Sequence, residues 1–343
     1  MRSYELALAG VLFAGLACAP GGGQGMASTS VAPEMGTDKL IGLHTLTAIA
    51  ADGANIPERY RAFLDAFGEM SVGCTATHIG NGLVLTAGHC FQGTPTRKDN
   101  APCPDVKVQW GVRQGRPSYL TSTCQTVLAF QTSKDIDYAL FKVTPVPPVS
   151  VDVDPLARPP DDSTLVIFQH PQMRPLEYSQ GCPLRPASSG NVGLNQFSHQ
   201  CDTEPGSSGS TVLSDDFLTV VGIHDGGLVP WNYGSFLADS PLGEFVPSAP
   251  LRPVVTVNTP ATGALVTGDV QVSADATVVM GSISKVTFEL PGQTQPVTVS
   301  SAPFVTTWSS TTVANGTQAL RVVAYDASGT ASYGVTRSVS VSN

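Results

Sequence analysis

Short runs in which apolar and polar residues alternate fill the end of this chain. From Val254 to Asn343 they read V-V-T-V, D-V-Q-V-S-A, K-V-T-F-E-L, P-V-T-V and A-L-R-V-V-A-Y, with turn signals at Pro260 to Gly263, Pro291-Gly292, Asn315-Gly316 and Ser328-Gly329. A period of two is that of a half-buried strand, and about seven such strands in about 90 residues predict a β-sandwich. Upstream the strands are more continuously apolar. Leu83 to Leu85 reads as a buried strand, Tyr138 and Leu140 lie in Y-A-L-F-K-V, and T-V-L returns through a turn at Ser214 to Asp216 into F-L-T-V-V-G-I. One segment differs: Pro57 to Phe67 has the pattern of a short amphipathic helix with Pro at its first turn, either in a propeptide or as an N-terminal decoration of the upstream domain.

At 343 residues two domains are expected, and composition shows the seam. Between Phe245 and Pro253 lies the proline-punctuated S-A-P-L-R-P, after which cysteine, histidine and methionine nearly vanish. The expected organisation is 1–19 signal peptide, 20–38 linker or propeptide, 39–248 main domain, 249–253 linker and 254–343 sandwich. Leu6 to Ala19 is almost wholly apolar, too short to span a bilayer and suited to a secretory signal. Cys18 after Leu16-Ala17 resembles a lipoprotein box, although Gly15 stands where that motif takes Leu, so a lipid anchor at Cys18 and ordinary cleavage both stay open. Charged residues are 13% of the chain and its net charge is −9. No basic patch suits nucleic acid and no polybasic segment suits an anionic membrane.

Three words then carry chemistry: T-A-G-H-C ending at Cys90, D-Y-A-L-F beginning at Asp137, and G-S-S-G-S from Gly206 to Ser210. A serine hydroxyl becomes a nucleophile when an imidazole takes its proton and a buried carboxylate fixes that imidazole's tautomer. His89, Asp137 and Ser208 supply those groups. Gly88 is expected to let the chain turn sharply before His89, and Asp137 to be drawn into the core at the start of its strand. D-I-D also offers Asp135, but Asp137 directly precedes the apolar run and is preferred. Gly206 and Gly209 allow backbone N–H groups to face an oxyanion.

These words resemble the catalytic motifs of trypsin-like, chymotrypsin-fold serine proteases, in the same order and with suitable separations. The bacterial glutamyl endopeptidase branch is the most similar, because its serine motif reads G-x-S-G-S. The resemblance implies an all-β fold of two antiparallel six-stranded β-barrels followed by the immunoglobulin-like β-sandwich, acting on protein or peptide substrates without a cofactor. It implies an oxyanion hole from Gly206 and Ser208, a disulfide between Cys74 and Cys90 around the histidine, and a substrate-binding wall from Ile223 to Gly227, including Gly226. Thr203 and His224 match the positions that bind a glutamate side chain in that branch. Asp225 beside His224 would repel an acidic group unless it points to solvent. Ser207 replaces the aspartate that pairs with a new N-terminus in animal enzymes, so little weight falls on Leu40-Ile41-Gly42 as a processing site.

Setting Cys18 aside leaves six cysteines, an even set suited to an oxidising compartment on the extracellular side. Fifteen pairings are formally possible; beside Cys74 with Cys90, sequence neighbours give Cys103 with Cys124 and Cys182 with Cys201. The histidines, His44, His78, His89, His170, His199 and His224, show no metal-binding spacing, and G-S-S-G-S does not fit the G-x-S-x-G elbow of esterases. Thr307 to Gly329 resembles bacterial immunoglobulin-like domains appended to secreted enzymes. Trp308 and Tyr325 would be its core anchors, and the domain a spacer or an adhesion module for cell wall, polysaccharide or protein. The contrasting reading is a catalytically inactive surface protein that uses both domains for binding.

Overall fold

The computed structural model describes residues 40 to 343 except 42–43, 92–100, 104, 187–192, 194, 229, 247–251 and 279. The expected signal peptide, the 20–38 segment, Cys18 and most of the 249–253 linker lie outside the described residues.

Six strands make the first barrel: β1 (Phe67–Met70), β2 (Cys74–Gly80), β3 (Leu83–Thr86), β4 (Lys107–Trp110), β5 (Leu120–Thr132) and β6 (Asp137–Thr144). Their ladders run β1-β2-β3-β6-β5-β4 and return from β4 to β1, so the sheet is closed. A second set, β7 (Thr164–Gln169), β8 (Glu177–Pro186), β9 (Gln196–His199), β10 (Thr211–Ser214), β11 (Thr219–Leu228) and β12 (Trp231–Phe236), repeats that order as β7-β8-β9-β12-β11-β10 and closes from β10 to β7. Closure leaves neither sheet with an unpaired edge. The expectation of two six-stranded antiparallel barrels is met.

An apolar cluster joins the barrels: Leu85 and Leu140 of the first meet Val166, Phe168 and Ile223 of the second. Into it comes the segment expected to be a helix. Only Glu58–Arg61 is α-helical; a 3-10 turn at Leu64–Ala66 follows and β1 begins at Phe67. The difference has a packing cause. Tyr60, Phe63 and Phe67 are all buried and meet Phe168 at ring separations of 5.4, 5.7 and 4.7 Å, which draws the chain into the barrel wall before a second helical turn can form.

The C-terminal strands are β13 (Val254–Thr259), β14 (Leu265–Val266), β15 (Asp269–Thr277), β16 (Ile283–Glu289), β17 (Val297–Val299), β18 (Phe304–Ser309), β19 (Gly316–Asp326) and β20 (Val335–Val341). They form a three-stranded sheet, β13-β15-β18, and a five-stranded sheet, β14-β20-β19-β16-β17, around one apolar core. Trp308 is fully buried there and its indole N–H donates to the Pro291 carbonyl at 3.0 Å. Tyr325 is not a core anchor. Leu320, Val322 and Ala324 point inward along β19, so strand alternation leaves Tyr325 half-buried on the other face, where Lys285 lies 4.7 Å from its ring.

The sandwich is seated on the barrels by specific contacts. Arg337 donates to both carboxylate oxygens of Glu58 at 2.8 to 2.9 Å, and Thr262 Oγ1 donates to Glu58 at 2.7 Å. Arg252 pairs with Asp152 and lies over the Tyr333 ring, whose hydroxyl accepts the Asp152 N–H at 2.8 Å. Tyr333 also meets Phe63 edge-on at 5.2 Å. Tyr333→Ala is therefore expected to cost about 2 kcal/mol of stability in urea unfolding, whereas Leu265→Ala, at a position 74% exposed, leaves the transition unchanged.

Candidate active site

Asp137 opens β6 and is 6% exposed, while Asp135 two residues earlier is exposed. A carboxylate enclosed in this way must collect donors. Asp137 collects two from one residue: the His89 N–H at 2.9 Å on Oδ1 and His89 Nδ1 at 2.5 Å on Oδ2. The structure thus brings Asp137, and not Asp135, to the histidine. With Nδ1–H donating, Nε2 carries the lone pair. Nε2 is buried and has no hydrogen-bond partner among the described residues.

His89 sits on the 3-10 turn Gly88–Phe91 that follows β3. Gly88 is required there for a reason other than the one sequence suggested. Its φ is not in the left-handed region, but a Cβ would lie 2.1 Å from the Gln131 carbonyl and 2.6 Å from Asp137 Oδ1. Any side chain would wedge the histidine turn away from its carboxylate. The Cys74–Cys90 disulfide ties the same turn to β2, and the pairs Cys103–Cys124 and Cys182–Cys201 form as expected.

Ser208 is half-buried in the turn before β10. Its carbonyl accepts the Thr75 N–H at 2.9 Å, and Cys90 Sγ lies 4.0 Å from that oxygen, which brings the serine turn onto the strand bearing the histidine-side disulfide. None of the hydrogen bonds described joins Ser208 Oγ to His89 Nε2. Within the turn the N–H groups of Ser207, Gly209 and Ser210 are spent on the carbonyls of Glu204, His224 and Ser207, at 2.9, 2.9 and 3.0 Å. Those of Gly206 and Ser208 enter none of the described hydrogen bonds. Gly209 adopts a φ of 85°, and a Cβ there would lie 2.1 Å from Thr86 Oγ1.

Thr75 was invisible to sequence reasoning. Fully buried on β2, it donates its hydroxyl to the Gly206 carbonyl at 3.0 Å and accepts the His170 N–H at 2.9 Å, so one side chain of the first barrel holds two loops of the second. Its only sequence signal was adjacency to Cys74.

Thr203 and His224 are both buried, with Thr203 Oγ1 unpartnered among the described residues. His224 Nδ1 lies 3.2 Å from His199 Nε2, a partner the histidine spacing did not reveal because β9 and β11 are brought together through β12. Burial first, and His224 second, push His199 well below the usual imidazole range. Gly226 is needed for close approach, since a Cβ would lie 2.6 Å from the Tyr233 hydroxyl oxygen. Asp225 does not point to solvent. A bulge between His224 and Gly226 turns it inward, where it accepts from Ser235 Oγ at 2.6 Å and Gln196 Nε2 at 3.1 Å. Ser235 Oγ in turn accepts the Asp137 N–H at 2.9 Å. Asp202, also fully buried, takes the N–H groups of Ile41 and Thr45, each at 2.5 Å, so the Leu40-Ile41 segment is anchored next to Thr203. Cys74, His89 and Cys90 place possible metal-ligand atoms within 4.8 Å of one another, but the two sulfurs are joined as a disulfide.

Residues 74–223 match the family model of a trypsin-like peptidase domain and residues 253–322 that of a bacterial Ig domain. The chain thus carries both domains. No curated protein matches it. Among solved structures it is similar to the MamO protease domain of Magnetospirillum magneticum, at 15% identity over 55% of this chain and 99% of that one, with a TM-score of 0.42. It is also similar to the active form of the Rv3671c protease of M. tuberculosis, at 16% identity over 57% and 85% of the two chains and a TM-score of 0.40. The fibronectin(III)-like modules of Clostridium thermocellum CbhA are similar at 24% identity over 26% of this chain and 96% of that one, with a TM-score of 0.23.

The loops around the site contain a fully buried histidine that titrates low. Burial pushes His170 down to about 4, only partly offset by its bond to the Arg174 carbonyl. Below about pH 6.5 the unfolded chain takes up a proton that the folded one refuses, so stability falls with pH from about 6.5 to about 4 and is unaffected above that window. Urea titrations across it are expected to show a loss of roughly 3 kcal/mol from this residue, and His170→Asn is expected to flatten the slope.

Proposed function

We propose that this trypsin-like peptidase domain belongs to an exported serine endopeptidase. The observation that carries the reading is the two-point grip of Asp137 on His89, which leaves Nε2 with a free lone pair, on a turn whose Cys90 Sγ lies 4.0 Å from the Ser208 carbonyl oxygen. In the reaction Ser208 Oγ attacks the scissile carbonyl carbon as its proton passes to His89 Nε2, and Asp137 stabilises the imidazolium through Nδ1–H. The N–H groups of Gly206 and Ser208 hold the oxyanion. The proton then goes to the leaving amine as the C–N bond breaks, and water repeats the sequence on the acyl-enzyme. Rotation of the Ser208 side chain toward Nε2 completes the contact when substrate fills the cleft.

Glutamate at the cleaved bond is the specificity we infer. Support comes from Thr203 Oγ1, a buried hydroxyl with a hydrogen bond still to give, and from His224, backed by His199. Asp225, turned inward and hydrogen-bonded by Ser235 and Gln196, is the feature that opposes an acidic side chain there. Export is supported by three disulfides in the described residues, since such bonds persist in oxidising compartments. No helix among those residues is long and apolar enough to cross a membrane.

Ser208→Ala is expected to fold normally and to hydrolyse casein about 10⁴-fold more slowly or worse. A fluorophosphonate should label Ser208 in the parent and not in His89→Ala. Absence of label from folded parent would instead favour the binding reading of a catalytically silent surface protein. In a peptide library, cleavage after Glu is expected to dominate, and Thr203→Val should lower kcat/KM for that bond roughly 10- to 100-fold. Cleavage after Arg, Lys or bulky apolar residues with none after Glu would reject the specificity while leaving the catalytic assignment standing.

A further inference from the structure

The N–H of Gly206 belongs to the peptide plane whose carbonyl is that of Pro205. In a trans peptide the two groups point in opposite directions, so whatever grips the carbonyl aims the N–H. Here the grip is the N–H of Gln172, 2.5 Å from the Pro205 oxygen. Gln172 achieves this only by standing in the left-handed region, at φ 50° and ψ 30°, and Met173 follows at φ 58°. Two consecutive non-glycine residues in that region are held by their surroundings rather than by their own preference. The turn also lies against Gly206 itself, where a Cβ would come within 2.8 Å of the His170 carbonyl and 2.9 Å of the Gln172 nitrogen.

Arg174 closes this turn. Its guanidinium donates to Glu177 through Nε at 2.8 Å and Nη2 at 3.1 Å, and through Nη2 also to Glu204. Glu177 is nearly enclosed at the start of β8, in register with Gln169 of β7 and therefore part of the barrel wall. Glu204 lies two residues before Gly206, in the turn whose Ser207 N–H it accepts on its carbonyl at 2.9 Å. His170 adds a second hold, its Nδ1 3.0 Å from the Arg174 carbonyl. We propose that Arg174 is a positioning residue for oxyanion binding: by bridging the β8 wall and the serine turn it keeps Gln172 left-handed and the Gly206 N–H aimed into the cleft. The proposal rests on the serine endopeptidase reading above. It also gives this chain a device for aligning the oxyanion turn that needs no carboxylate at position 207.

The test compares the parent with Arg174→Gln, Arg174→Lys and Glu204→Gln, each purified as the full chain and with its thermal midpoint measured. The readouts are the acylation burst with p-nitrophenyl acetate and the separate kinact and KI of a fluorophosphonate, whose phosphoryl oxygen enters the oxyanion site only as the bond to Ser208 forms. Arg174→Gln and Glu204→Gln are expected to lower the acylation rate and kinact roughly 10- to 100-fold with KI little changed. Arg174→Lys should recover part of the loss, because a single ammonium can still reach Glu204. A purely structural role predicts a fall in thermal midpoint with rates per labelled serine unchanged. That pattern, or Gln variants that acylate like the parent, overturns the proposal while the parent's own labelling upholds the protease reading. A parent that neither bursts nor labels overturns both.

Discussion

One enclosed carboxylate organises the cleft. Asp137 lies at the seam between the barrels, where a carboxylate without donors would be expensive; its carboxylate donors come from the first barrel, and its backbone N–H is taken up by the second. The first barrel supplies two donors from His89. On the second, Ser235 accepts the Asp137 N–H and donates its hydroxyl hydrogen bond to Asp225, which also accepts from Gln196. The Asp137 carboxylate therefore orients His89, while its backbone N–H ties the same residue to the second barrel.

Close backbone approach is the second constraint. Gly88 and Gly209 occupy positions where a Cβ would lie 2.1 Å from an oxygen, at Gln131 and Thr86 respectively. Thr75 stitches across the same seam with its backbone N–H and its hydroxyl, taking up the Ser208 and Gly206 carbonyls. The serine turn is thus shaped largely by groups outside it, and its own N–H groups at 206 and 208 are left out of the described hydrogen bonds.

Away from the cleft, the sandwich completes the barrels' packing. Tyr333 joins the aromatic cluster of Tyr60, Phe63 and Phe168, while Glu58 and Asp152 each meet an arginine from the C-terminal side. The domain whose sequence suggests a spacer or an adhesion module also shares packing with the fold it follows.

Much of this was legible in the linear chain, because strand alternation, turn residues and short catalytic words are local properties. Leu83 to Leu85, the DYALF strand and the C-terminal runs all became strands, and Asp137 was separable from Asp135 by the apolar run that follows it. What failed locally failed for tertiary reasons: Pro57 to Phe67 has a helical pattern, but its aromatics are claimed by Phe168, and Tyr325 lies one step off the inward phase of its strand. Thr75, His199, Ser235, Asp202 and Arg174 carry no motif at all. They matter because two closed barrels bring residues distant in sequence within hydrogen-bonding reach, and a buried polar group takes whichever partner the packing delivers. The chain by itself determined the strands and the three short words that offer an imidazole, a carboxylate and a hydroxyl; only the tertiary structure decided which neighbours hold them, since desolvation at the seam is a property of the packed barrels and not of any segment.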